Sequence, residues 1–135
     1  MTAEDNIALV QQQFEAFGRG HVDVALAAVA DEVDWLAPVS ARPGSLPWAG
    51  HRRSRPQVAD YFRELSSAVR PQPFQDLTFT AAGDRVVVEG RNRGMVLATG
   101  RPYEHEWVMV FTIHGGQVVR FRHYYDPADI TQALD

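Results

Sequence analysis

The chain has 135 residues, 45% of them hydrophobic and 22% charged, with a formal net charge of −4. Such a chain makes one domain, over 1–135, with room for a proper core, and its acidic balance argues against a nucleic-acid partner. It has no cysteine, which excludes disulfides and thiolate chemistry, and neither a leader-like start nor an apolar run long enough to span a bilayer, so the expectation is a cytoplasmic protein with no membrane contact.

Taken in order, Thr2 to Gly18 reads as a helix. Ile7, Val10, Phe14 and Phe17 recur at helical spacing, Thr2 suits the N-cap, Glu4 and Asp5 suit the first turn, and Gly18 and Gly20 stop it. A short helix follows from about Val22 to Ala30, with Leu26 and Val29 inward. A short strand, Val33 to Leu36, puts Val33 and Trp35 on one face. Pro38 to Gly50 is a loop, broken by Pro38, Pro43, Gly44, Pro47 and Gly50. It carries Leu46 and Trp48 and reads equally as a pocket rim or lid and as a packed surface loop. Ser54-Arg55-Pro56-Gln57 is a capping box with proline in the first turn. It opens a helix to about Val69, with Val58, Tyr61, Phe62 and Leu65 on one face, ended by Pro71 and Pro73. The basic run His51-Arg52-Arg53-Ser54-Arg55 reads as a solvated surface or as a holder of an anionic group.

The rest is strands: Phe74 to Ala81, Asp84 to Thr99 with Gly94 allowing a bend or bulge, Tyr103 to Ile113, and Gln117 to Asp126. Asp126 and Pro127 open a last short helix to Leu134. Helices followed by a curved, largely antiparallel sheet imply an α+β fold, a cone of sheet wrapped around the N-terminal helices.

The period of two assigns the faces. In the second strand of this set Arg85, Arg91 and Arg93 share one face, so Val86, Val88, Gly90, Asn92 and Gly94 must look inward, because burying three arginines is prohibitive. In the next strand Tyr103, His105, Trp107, Met109, Phe111 and Ile113 look inward, and Glu104 and Glu106 outward. In the last, Val119, Phe121, His123 and Tyr125 share the inner face. His123, His105, Asn92 and Tyr125 thereby converge as candidate catalytic residues. Phe14, Phe17, Trp35, Trp48, Phe62, Phe74, Tyr103, Trp107 and Met109 are the candidate pocket wall for a small hydrophobic molecule. Val87, Val108, Val110 and Val118 fall on the outer face, an apolar patch that suggests a homodimer. With both glutamates outward, no metal site is expected around the two histidines.

A neutral imidazole is a suitable base for taking a proton α to a carbonyl. Asn92, Tyr125, Tyr103 and the Trp35 or Trp107 indole are candidate donors to the developing oxygen. A lone histidine on an apolar strand is equally the mark of a satisfied core residue, and Trp107, Met109 and Phe111 of ordinary packing.

The chain resembles the NTF2-like superfamily, in particular its SnoaL-like branch of polyketide cyclases and relatives. The resemblance rests on Asp31-Glu32-Val33-Asp34-Trp35, Thr99-Gly100-Arg101, Gly116-Gln117-Val118-Val119 and above all Phe121-Arg122-His123-Tyr124-Tyr125-Asp126. It implies a cone-shaped α+β barrel, commonly dimeric, with the active site inside and no cofactor. His123 falls where limonene epoxide hydrolase has its water-activating aspartate, Asn92 where it has the acidic partner, and Gly90 where it has an arginine. The ketosteroid isomerase base falls near Ala37, its oxyanion acid near Met109 and its oxyanion tyrosine near Phe14 to Phe17. Isomerisation, cyclisation or dehydration of a hydrophobic substrate is the resulting expectation. The alternatives are a non-catalytic ligand-binding or dimeric scaffold protein and an epoxide hydrolase-like activity.

Overall fold

A computed structural model describes residues 2–42 and 44–135; Met1 and the proposed loop breaker Pro43 lie outside the described residues. Helix α1 (Ala3–Gly18) starts on a reciprocal cap: Thr2 Oγ1 accepts from the Asp5 backbone N–H, and Asp5 Oδ2 accepts from that of Thr2. Helix α2 (Val22–Ala27) is shorter than its apolar spacing suggests. Val29 leaves the helix and opens strand β1 (Val29–Ala37), where the Ala28 carbonyl accepts from Val118 N–H and holds the chain extended.

Strand β2 (Gly50–Ser54) is formed by the end of the loop and most of the basic run. It pairs antiparallel with β1 at the sheet edge, where alternate side chains meet water. Helix α3 (Arg55–Ala68) follows directly, with the Ser54 hydroxyl capping Gln57 N–H and Pro56 in the first turn. Val69 is not its last residue but the first of a short strand, β3 (Val69–Pro71). A proline is tolerated there because the strand lies at the sheet edge. Then come β4 (Gln75–Ala82), β5 (Arg85–Val96), β6 (Pro102–His114) and β7 (Gln117–Tyr124), followed by one turn of helix α4 (Ala128–Thr131) and a 3-10 turn, Gln132–Leu134.

The sheet runs β2-β1-β7-β6-β5-β3, with β4 also on β5, and it is mixed because β1 and β7 are parallel. It curls around α1 and α3, which pack against β1, β2, β3, β4 and β5. The buried core lies between them and includes Val10, Val58, Val86, Val88 and Val96. Trp35 of β1 stacks on its register partner Phe121 of β7 with ring centroids 3.9 Å apart, a pair worth about 0.5–1.5 kcal/mol beyond its burial.

Two face assignments change. Ile113 pairs with Val118 but Thr112 with Arg120, so Val119 is an extra residue in β7. This bulge turns Val118 inward, where it is fully buried, and leaves the half-buried Val119 off the inner row. Gly94 is not a bulge: β5 and β6 pair without a break through Gly94↔Tyr103. Its place is sterically fixed, since a Cβ there would collide with the Tyr103 ring.

Candidate active site

The concave face of the sheet and the two long helices enclose a cavity of about 110 Å³. Strand β5 supplies Asn92, β6 supplies Tyr103, His105, Trp107 and Met109, and β7 supplies His123, with Tyr125 just past its end. Trp35 comes from β1, Phe14 and Phe17 from α1, and Phe62 from α3. Trp48, buried in the loop after β1, and Phe74, just ahead of β4, complete the aromatic wall. Every candidate named from the sequence therefore borders one space.

Cross-strand register explains how so many rings fit. Gly90, Asn92 and Gly94 lie directly opposite Trp107, His105 and Tyr103. A Cβ at Gly90 would sit 2.7 Å from the Trp107 indole. The two glycines are slots for the Trp107 and Tyr103 rings, and Asn92 stands between them.

Asn92 is the hub of the buried polar groups. Its Nδ2 donates to Gln72 O at 3.2 Å, and its Oδ1 accepts from Trp107 Nε1 at 3.1 Å and lies 3.0 Å from His105 Nε2. The Trp107 N–H and the Asn92 amide are thereby engaged. Among the described residues, the wall side chains Trp35 and Tyr125 each keep a buried donor, Nε1 and Oη, without a hydrogen-bond partner in the protein. Tyr125 sits between the two imidazoles, its ring centroid 5.0 Å from His105 and 4.7 Å from His123. The Trp48 indole N–H approaches Tyr125 Oη without making a hydrogen bond of good geometry.

Both histidines are held neutral. Burial pushes His105 down to about 4. Burial, and then the nearness of His105, push His123 down to about 3. His123 is only half-buried as a residue, yet both its ring nitrogens are shut off from solvent and unpartnered. Burial likewise raises Tyr103 and Tyr125 to about 12, so both phenols stay protonated. Among the described residues no three His, Asp or Glu side chains come together as a metal-ligand group, and Glu104 and Glu106 are exposed on the outer face.

Sequence reasoning missed Gln13. It lies one turn from Val10 and from Phe17 on α1, so its spacing was the available signal, but a glutamine amid polar neighbours reads as surface. Its Nε2 donates to Ala25 O at 3.0 Å, which leaves Oε1 buried and unpartnered on the cavity wall. Also missed is an open groove of about 460 Å³ between α1 and β4, which shares Phe14, Phe17 and Phe74 with the cavity. These three rings are the partition between the two spaces.

The basic run is mostly spent on structure. Arg52 donates to Glu64 Oε2 at 2.6 Å, and Arg55 bonds Val29 O at 2.8 Å and Asp31 at 3.0 Å. Outside the cone, Asp34 ties the β2, β1 and β7 strands together. It pairs with His51 and, at 2.8 Å, with Arg122, whose guanidinium also donates to the Asp34 and Phe121 carbonyls. Hydrogen bonds from Arg122 hold the Asp34 carboxyl down at about 2.

Known proteins share both the sequence pattern and the cone. A protein of Bacillus subtilis, the uncharacterized YesE, is 27% identical over 79 residues, which are 57% of this chain and 54% of YesE, so the match spans about half the length of that relative. An NTF2-like protein from Burkholderia xenovorans superposes with a TM-score of 0.87 at 29% identity, covering 100% of this chain and 99% of its own. A candidate polyketide cyclase from Xanthomonas campestris has the same fold, with a TM-score of 0.83 and 24% identity over 98% of both chains. The family model of the SnoaL-like domain matches residues 10–121, nearly everything from α1 to the strand that carries His123, and the chain therefore belongs to the SnoaL-like family.

Proposed function

We propose that this SnoaL-like domain performs cofactor-independent acid/base catalysis on a compact, neutral, mostly apolar carbonyl compound held inside the cone. The reaction class is isomerisation, aldol-type cyclisation or dehydration through an enol or enolate.

One observation carries this reading. Gln13 Oε1, Trp35 Nε1, His105 Nδ1, both ring nitrogens of His123 and Tyr125 Oη are buried without partners, and all belong to residues of the cavity wall. A buried polar atom left unsatisfied costs about 1–3 kcal/mol, so a filled structural core gains nothing by keeping such a set. A carbonyl compound offers an acceptor to the Trp35 and Tyr125 donors and an acidic hydrogen to an imidazole. The two histidines are neutral at pH 7 because burial lowers both, and a general base of pKa near ~4.6 is sufficient in ketosteroid isomerase. Among the described residues no Asp, Glu or Arg lines the wall, so an ionic substrate would bury an uncompensated charge. Size sets a further bound. A cavity of ~150 Å³ holds benzene, so about 110 Å³ bounds the ligand at no more than about one small ring, and a steroid enters only if the Phe14, Phe17 and Phe74 partition opens to the groove. The fold neighbour that is a candidate polyketide cyclase supports the same class of chemistry.

The test is product formation, followed by mass spectrometry, over a panel of small hydroxy-ketones, cyclic enones, β-diketones and hydrophobic epoxides, with wild type, His105→Gln and His123→Ala side by side. Turnover lost in either histidine variant supports the reading. No turnover, with compounds that still raise Tm, replaces it by a ligand-binding role. That second reading is favoured by His123 itself, whose ring no hydrogen bond orients. A second copy of the chain on the outer sheet face belongs to the proposal, because Val87, Val108 and Val110 form a half-buried apolar row there beside the exposed Tyr124.

A further inference from the structure

We propose that the proton acceptor of the cavity is His105 Nδ1 rather than His123, and that Asn92 is the positioning residue that holds His105 in the tautomer this requires. The inference deepens the acid/base reading and rests on it.

The assignment follows from which groups can only donate and which can only accept. Trp107 Nε1–H is a donor with no acceptor capacity, and Gln72 O is an acceptor with no donor capacity. Both touch the Asn92 amide, at 3.1 Å and 3.2 Å. Only one orientation of the amide satisfies them: Oδ1 toward the indole and Nδ2 toward the carbonyl. A flipped amide would set N–H against N–H and oxygen against oxygen. The oxygen so placed lies 3.0 Å from His105 Nε2, and an amide oxygen only accepts. The neutral ring therefore carries its hydrogen on Nε2, and its lone pair is on Nδ1. That nitrogen is buried and has no partner.

His123 has no equivalent device. Both its nitrogens lack partners, so nothing selects its tautomer or fixes its ring. The groups that face His105 are Tyr103 of its own strand, Asn92 of β5, and Tyr125 and His123 at the β7 end. None is a carboxylate or a guanidinium.

The step balances as follows. The bond from hydrogen to the α-carbon of the ketone breaks, and the proton passes to His105 Nδ1. The electron pair passes through the forming carbon–carbon double bond to the carbonyl oxygen, where Tyr125 Oη–H and Trp35 Nε1–H donate. The imidazolium keeps its Nε2–H on Asn92 Oδ1, a hydrogen bond that strengthens as the charge forms. The proton then returns to another carbon, which is isomerisation, or to a departing hydroxyl, which is dehydration.

The test is side-chain nitrogen–proton correlation NMR on the intact protein, joined to kinetics on any compound that turns over. Wild-type His105 is expected as the pure Nε2–H tautomer. Asn92→Leu should lose that single tautomer and reduce kcat/KM, by up to about 10⁴-fold if a wrong tautomer costs what it does in the serine protease triad. Asn92→Asp keeps an acceptor oxygen toward His105 and should keep the tautomer, with a lower Tm because its second oxygen faces Gln72 O. His105→Gln should lose about 10²–10⁴-fold in turnover. An Nδ1–H or mixed tautomer in wild type, an unchanged tautomer in Asn92→Leu, or full turnover in His105→Gln overturns the assignment. The spectrum does not depend on catalysis. A protein that turns nothing over yet shows the Nε2–H tautomer refutes the enzyme reading and with it the proton transfer to His105, while the tautomer and its positioning by Asn92 stand.

Discussion

Lowering the pH should unfold this protein through its two cavity histidines before any of its ion pairs fail. In the unfolded chain each imidazole titrates near ~6.5, whereas in the fold burial holds His105 near about 4 and His123 near about 3. Below pH 6.5 the unfolded state therefore binds protons that the folded state refuses. Stability is complete above that pH and falls as the pH drops toward the folded values. The slope is about 1.4 kcal/mol per pH unit for each histidine, so between pH 6.5 and 4.5 each costs about 2.7 kcal/mol and the two together about 5 kcal/mol. That is the whole stability of a domain at the lower end of the usual range of about 5–15 kcal/mol. Asp34, held down at about 2 by Arg122, begins to matter only below its unfolded value of ~3.9, so the window above pH 4.5 belongs to the histidines. Urea unfolding at pH 7.0, 5.5 and 4.5, read by the fluorescence of the three tryptophans, measures the slope. Wild type should lose about 2.7 kcal/mol per pH unit, and His105→Gln and His123→Gln about half that each. A stability flat between pH 6.5 and 4.5 would refute the burial argument for both rings.

Other outcomes follow from single contacts. Gly94→Ala forces a Cβ into the Tyr103 ring and should cost about 1–3 kcal/mol as overpacking does, seen as a lower Tm. Phe74→Ala opens the partition shared by cavity and groove. It should let compounds of two or more rings raise Tm where they do not in wild type; an unchanged size limit refutes the partition. Arg122→Met removes the hydrogen bonds to Asp34 and to the Phe121 carbonyl and should cost about 1–3 kcal/mol in urea unfolding without changing ligand binding inside the cone. Val108→Arg on the outer row should turn a dimer into a monomer by light scattering, and an unchanged mass would place any interface elsewhere.

The parts of the fold legible in the sequence are those where chemistry forbids the alternative. Strands β5 and β6 declare their faces because three arginines and two glutamates have to meet water, and the Thr2 and Ser54 caps declare two helix starts. Strand β7 hides its bulge, since an unbroken alternation through Val118 and Val119 looks regular until the pairing with Ile113 and Thr112 shows the extra residue. Strand β2 hides as a basic run because an edge strand needs few apolar side chains, and its Arg52 is held by Glu64 of the following helix. The cavity follows from the strand faces alone. Its internal wiring does not: the link from Gln72 through Asn92 to His105 and Trp107 exists only once β5 and β6 are in register, and Gln13 becomes part of the wall only once α1 is seated in the cone.

Proton abstraction inside the cone is most directly measured as exchange. Small neutral ketones that raise the protein's Tm would be incubated with it in D2O, and deuterium at the α-carbon followed by mass spectrometry, whether or not any product forms. Wash-in above the buffer rate is expected with wild type, and wash-in at the buffer rate with His105→Gln. Wild-type exchange no faster than buffer, for every ketone that binds, would contradict proton abstraction inside the cone.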